Sequence, residues 1–264
     1  MNRIRLVSTI KILLVLIVLG AGSGCATTQT QSTPGNPDQL EPANRVSYNF
    51  TDTLDRALVK PIAQVYADNT PEIARTGITN FFDNLSYLNV ALNSFLQGKF
   101  DQGIADSLRF VYNSTFGIAG LFDVSTPIGM PAHDEDFGQT LAVWGVDQGS
   151  YLYIPIQGPN TMRNLPNYAT SILLNPLTYV TGTILLPLTA IDIINKRANL
   201  LEETNIRDEA AVDPYIFTRE AYLQQRRFKI FDGNPPIEGY DDIFDTDDGT
   251  EGNGEGETGV LHIE

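Results

Sequence analysis

The sequence predicts a mainly α-helical protein: one compact domain with glycine-rich loops or a small hairpin, and disordered ends. Three observations carry this. Apolar residues recur at helical spacing in short segments bounded by proline or glycine. Residues 164–191 hold no charged side chain, and their prolines divide them into two short apolar helices joined near Asn175-Pro176. A chain of 264 residues, 42% hydrophobic, can bury one good-sized core, and nothing divides it into two comparable domains.

Residues 1–24 read as a bacterial export signal. Arg3, Arg5 and Lys11 precede an apolar run from Ile12 to Leu19, and small residues from Ala21 to Gly24 lead to Cys25, the chain's only cysteine. This arrangement resembles a bacterial lipobox, with Gly22 where leucine is usual, and implies lipidation at Cys25. A cleaved or anchoring signal with a free thiol is the other reading, and an unpaired reactive cysteine is a liability in an oxidising compartment. Ala26 follows in place of the aspartate of inner-membrane retention signals, which points to the outer membrane. Several acyl chains would hold such a protein on its membrane. Residues 25–42, rich in Thr, Gln, Ser and Pro, read as a flexible tether.

The folded body is expected over residues 43–231. A first helix carries Leu54, Leu58, Ile62, Val65 and Tyr66, and Pro61 predicts a kink because it cannot donate to residue 57. Thr70-Pro71-Glu72 predicts a second start with a capping hydroxyl, the helix showing Ile73, Gly77, Phe81 and Leu85 on one face. A third runs from Leu88 to Gln97, capped by Gly98. A fourth, with Ile104, Leu108, Val111 and Thr115, stops at Gly117. Residues 117–131 then read as an apolar loop or hairpin, either a gate on a ligand path or a simple connector.

The stretch from His133 to Arg163 is the one the chain is organised around. An acidic cluster, Asp134-Glu135-Asp136, leads into glycine-punctuated aromatics, Phe137, Trp144, Tyr151 and Tyr153. Such rings suit boundaries between wet and apolar surroundings; a loop packed on a core is the alternative. The uncharged residues 164–191 are likewise either core helices or helices with faces in a membrane. Residues 192–205 are amphipathic again.

The formal charge of -15 is uneven. Residues 232–264 carry eleven acidic and no basic side chains and read as a disordered tail, whereas residues 43–231 hold 14 basic and 19 acidic. No basic patch argues for nucleic acid.

Several strings resemble the MlaA family, also called VacJ lipoproteins. They are NRVSYNFTDTLDRALVKPIAQVYADNTPEIARTGITNFFDNL (Asn44–Leu85), LNSFLQGKF (Leu92–Phe100), RFVYNSTFGIAGLFDV (Arg109–Val124), EDFGQTLAVWGV (Glu135–Val146) and DPYIFTREAYLQQRRF (Asp213–Phe228). Ala142, Ser150 and Leu165-Pro166-Asn167 depart from the family pattern. The resemblance implies a ring-like helical fold in the inner leaflet of the outer membrane, lipid-anchored on the periplasmic side, with an amphipathic channel. It implies removal of mislocalised phospholipid from the outer leaflet, hand-off to periplasmic carrier proteins and an inner-membrane ATP-driven complex, and association with a trimeric porin. Composition then places Asp136, Gln139 and Arg163 near a polar path or its mouth, and Trp144, Tyr151 and Tyr153 at the lipid interface.

Two other classes remain. A passive tethering lipoprotein would make little use of a 28-residue uncharged segment. A lipid hydrolase lacks a G-x-S-x-G elbow, and His133 beside three carboxylates and His262 in the tail are its only histidines. No catalytic residue, metal or cofactor is assigned.

Overall fold

The computed structural model describes residues 38–236. The export signal, Cys25, most of the tether and most of the acidic tail lie outside them. The expected mainly helical fold is found, with one small hairpin.

Helix α1 (Glu41–Leu54) begins within the stretch read as tether, Pro42 taking a first-turn position where no N–H is needed. The break expected at Pro61 takes the form of a π turn, Asp55–Val59, in which Lys60 N–H reaches back to the Asp55 carbonyl. The wider turn absorbs proline's missing donor before α2 (Lys60–Asn69) continues.

The next two expected helices are one, α3 (Glu72–Leu96), because nothing between Leu85 and Leu88 stops a helix. Thr70 does not cap it; the Pro71 carbonyl accepts from Ala74 N–H at 2.9 Å and Arg75 N–H at 3.1 Å. At its other end Gly98, in the left-handed region, donates to Phe95 O at 3.0 Å while Lys99 N–H donates to Ser94 O at 2.9 Å. That Schellman closure turns the chain directly into α4 (Phe100–Thr115), which folds back along α3.

No strand forms in residues 117–131. Ile118, Ala119 and Gly120 are successive left-handed residues, and side chains then take the backbone donors a ladder would need. Asn113 Oδ1 accepts from Val124 and Ser125 N–H, and Asp123 Oδ1 from Ser125 and Thr126 N–H. Arg109, buried on α4, pairs with Asp123 at 3.1 Å. The segment is a pinned turn whose apolar residues, Ile118, Phe122 and Ile128, point outward.

The hairpin lies later. After α5 (Phe137–Val143), β1 (Tyr151–Ile154) pairs antiparallel with β2 (Gly158–Thr161), Tyr151 opposite Thr161 and Ile154 opposite Gly158. Its outer edge is covered by α1: Asn44 Nδ2 donates to Tyr151 O at 3.1 Å and its Oδ1 accepts from Tyr153 N–H at 2.8 Å, so one side chain acts as a piece of a third strand. Tyr48, Tyr151 and Tyr215 form the apolar cluster below, in edge-on ring contacts.

The uncharged segment folds as expected into two helices, α6 (Pro166–Leu174) and α7 (Gly182–Asn199), separated by a 3₁₀ turn at Pro176–Tyr179. Asn175 caps that turn, accepting from Leu177 N–H at 2.9 Å. Pro187 is accommodated inside α7. Then come α8 (Leu201–Ala210) and α9 (Pro214–Ile230), the latter capped by Asp213 accepting from Tyr215 and Ile216 N–H.

Candidate functional site

The burial pattern inverts that of a water-soluble domain. Among the described residues, nine buried side chains are apolar and 17 are polar or charged, and no Leu, Ile or Met is buried. Soluble cores are built chiefly from those residues. Here they face outward: Leu58 in the π turn with Ile62 and Val65 on α2, and Ile104, Leu108 and Val111 on α4, all read from sequence as helical stripes, are exposed. In α6 no residue is buried, and in α7 only Asn195 and Ala198 are. The core reading of the uncharged segment is thereby corrected: its apolar faces look out.

The polar interior is hydrogen-bonded. Glu135, buried, receives Lys99 at 2.9 Å, Gln97 at 2.8 Å and Gln102 at 2.8 Å, joining the α3–α4 turn to the chain entering α5. Thr140 donates to Asn93 Oδ1 at 2.8 Å across the α3–α5 seam. Asn195 links α7 to α2 and α3, accepting from Tyr66 OH at 2.9 Å and donating to Thr79 at 2.7 Å. Buried polar groups at this density are tolerable only when satisfied.

The sequence-designated residues fall into two groups. Asp136 caps α5, accepting from Gln139 N–H at 2.9 Å, and is gripped in bidentate fashion by Arg226 of α9, which also donates to Asn164 Oδ1 at 3.2 Å. Burial raises the Asp136 pKa, but the Arg226 bonds and charge outweigh it and hold the carboxyl below its usual range. Gly138 makes this possible, since a Cβ there would stand 2.2 Å from Asn164 Oδ1. Gln139 is buried, donating to Asp134 O at 2.8 Å. These two residues hold α5 in place instead of lining an open surface.

Trp144 stands at the surface, 52% exposed, its Nε1 donating to Leu96 O at 3.1 Å and its ring edge-on to Phe137. Tyr151 is the opposite: at 0% exposure it is the centre of the tyrosine cluster, so its expected place at an interface is corrected. Tyr153 is half-buried against Tyr48, its hydroxyl pKa pushed up by burial to about 12. Arg163, also half-buried, donates to Val146 O at 2.9 Å and has no carboxylate partner among the described residues. Burial, then Arg226, lowers its pKa.

Other residues were not singled out from sequence. Asp83 on α3 is open to solvent yet crowded enough that desolvation raises its carboxyl pKa, Lys196 opposing the shift and Asp192 and Asp134 reinforcing it. Charged groups from α7 and from the loop before α5 thus act on it together. A small recess of about 60 Å³ lies between α3 and the end of α6, lined by Leu85, Ser86, Asn89, Ser171, Leu174 and Asn175. The available signal was the recurrence of asparagine along α3, at 80, 84, 89 and 93, on a helix that otherwise looked apolar. His133 is tied to buried Asp106 at 2.8 Å, whose other oxygen takes Ser94 at 2.9 Å. Serine and histidine thus both address the acid, and this is not the nucleophile–base–acid order of a hydrolase.

An apolar exterior over a largely hydrogen-bonded polar interior defines a class: helical proteins whose outside is made for lipid and whose inside is made for charge. Among the described residues no helix is long and apolar enough to cross a membrane. The family model of the MlaA lipoprotein matches residues 36–229, and the chain belongs to that family. It is 35% identical over 209 residues to the intermembrane phospholipid transport system lipoprotein MlaA of Shigella flexneri, covering 78% of this chain and 82% of that one, and 34% identical to the Escherichia coli protein of the same name over the same shares. The Haemophilus influenzae counterpart is 29% identical over 84% of this chain and 91% of its own. A solved structure described as the structural basis for maintenance of bacterial outer membrane lipid asymmetry matches with a TM-score of 0.65 at 32% identity, over 75% of this chain and 99% of that one.

Proposed function

We propose that this lipoprotein removes mislocalised phospholipid from the outer leaflet of the outer membrane, through an amphipathic channel, and passes it to periplasmic carriers. The observation that carries the reading is the inverted burial. A headgroup charge is costly in a medium that cannot solvate it. Solvent-open polar groups such as Asp83, Asp134 and Lys196, with half-buried Arg163, supply substitutes for water along the path, while the apolar exterior keeps the protein in the bilayer. The channel accelerates passage without forming or breaking a bond.

Lipid attached at Cys25 holds the body on the periplasmic side, residues 25–40 give it reach, and the acidic tail is dispensable for lipid handling. Trp144 sits at the headgroup level, as its exposed ring and single polar handle suit. A trimeric porin and an inner-membrane ATP-driven complex complete the route.

The test is outer-leaflet phospholipid in cells lacking the protein, with complementing copies at matched level. Deletion raises it and the wild-type copy restores it. Arg163→Glu and Trp144→Ala copies, shown to be folded, restore it incompletely. No rise on deletion overturns the function; full restoration by both variants overturns their roles.

A further inference from the structure

A second cavity, of about 540 Å³, opens between the start of α3 and the α7–α8 junction, within the ~300–1,000 Å³ range of small-molecule sites. None of the sequence-designated residues touches it. Its polar lining comes from Glu72, Arg75, Thr76, Thr79, Asn199 and Glu202.

Arg75 is the unusual member. It makes no ion pair, and its Nε is buried without a hydrogen-bond partner. Every other arginine among the described residues, Arg163 apart, is paired with a carboxylate or otherwise engaged. Its Nη1 and Nη2 are not buried and no hydrogen bond among the described residues engages them, so the charged fork is open to an acceptor from outside the chain. The two carboxylates that line the same cavity, Glu72 and Glu202, are exposed and do not supply it. Thr79 is already engaged with Arg75 O, Asn195 and Asn199.

The cavity thus holds one cation and two exposed anions that form no ion pair among the described residues. A purely anionic ligand would meet the glutamates and a purely cationic one the arginine. A ligand carrying both charges a few bonds apart satisfies both. The geometry points to a headgroup site for a zwitterionic phospholipid with a primary ammonium: the Arg75 guanidinium takes the phosphate, which it can grip with two parallel N–H donors, and Glu72 and Glu202 take the ammonium. Ile73 and Leu200, exposed and adjacent in sequence to lining residues, seat the start of the acyl chains. This rests on the lipid-handling reading and specifies its headgroup.

Full-length protein in mixed micelles, offered phosphatidylethanolamine and phosphatidylglycerol of the same acyl composition, tests it by the ratio of the two lipids recovered bound. The wild type favours phosphatidylethanolamine by about tenfold, the scale of one charge-assisted hydrogen bond. Glu72→Gln with Glu202→Gln, two exposed positions whose change leaves the fold intact, brings the ratio to about one, while Arg75→Ala lowers recovery of both lipids. Equal recovery by the wild type, or a preference that survives the double glutamine variant, overturns the site while leaving lipid handling standing. Recovery of neither lipid overturns both. Water-soluble glycerophosphoethanolamine displaces the lipid only in large excess; displacement at equal concentration would make a soluble phosphoamine the ligand and overturn the lipid assignment.

Discussion

Replacing Arg226 by Met removes the guanidinium from Asp136 while keeping an unbranched, apolar stem in its place. Arg226 is nearly buried and Asp136 largely so, and the pair joins α9 to the start of α5 through two charge-assisted bonds. Losing one partner of a buried pair costs about 3–5 kcal/mol because the survivor is left uncompensated. Asn164 also loses its Arg226 donor, worth about 1 kcal/mol. The expected loss is therefore about 5 kcal/mol of unfolding free energy at neutral pH, read by urea denaturation of the detergent-solubilised protein.

The pH dependence sharpens this test. In the wild type the folded-state pKa of Asp136 lies below its unfolded value, so its contribution is complete above the unfolded pKa and is lost as pH falls through the folded one. In Arg226→Met only burial remains to act on Asp136, raising its pKa, and protonation relieves the variant. The deficit should then shrink on going from pH 7 to about pH 4. A double variant, Asp136→Asn with Arg226→Met, should recover about half of the loss, since a neutral pair leaves no buried charge. A deficit below about 1 kcal/mol, or one that does not change with pH, would refute this account of the α5–α9 junction.

Gly138→Ala drives a methyl into Asn164 Oδ1 and the Arg226 guanidinium, and should cost about 1–3 kcal/mol in the same denaturation assay. Asn44→Ala removes a donor from Tyr151 O and the acceptor of Tyr153 N–H at the hairpin edge; a loss of about 2 kcal/mol and faster amide exchange at Tyr153 than at Leu152 are expected. Asp123, despite partial burial, is drawn down to about 2 by its Thr126 bonds and by Arg109. Its hold on the 117–130 turn is complete above the unfolded pKa and lost as pH falls towards about 2. Asp123→Asn should weaken protease resistance of that turn at pH 7, with the difference from wild type closing at low pH.

The helical content, the proline-divided pair α6 and α7, and the glycine closure at Gly98 were legible because each rests on a local rule: spacing, a missing donor, a residue free to adopt positive φ. The fusion of two expected helices into α3 and the short α5 were not, since neither has a distinctive boundary signal in its immediate sequence beyond the Asp136 cap. Tyr151 was misplaced because composition cannot distinguish a tyrosine at a surface from one closing a core. Arg226, Asn44 and Asp83 matter through partners 90, 107 and some fifty or more positions away, beyond any window along the chain.

The direction in which the stripes face divides the two kinds of knowledge. A helix with Leu58, Ile62 and Val65 on one side and polar residues on the other has the same sequence pattern whether the apolar side faces a core or a bilayer. Sequence determined that such stripes exist, that residues 164–191 carry no charge, and that the strings from Asn44 to Phe228 follow a known family. Only the tertiary structure decided which side is inside. It did so because buried polar groups such as Asn93, Asp106, Glu135 and Asn195 find hydrogen-bond partners across the helices that enclose them, leaving the apolar stripes no core to occupy.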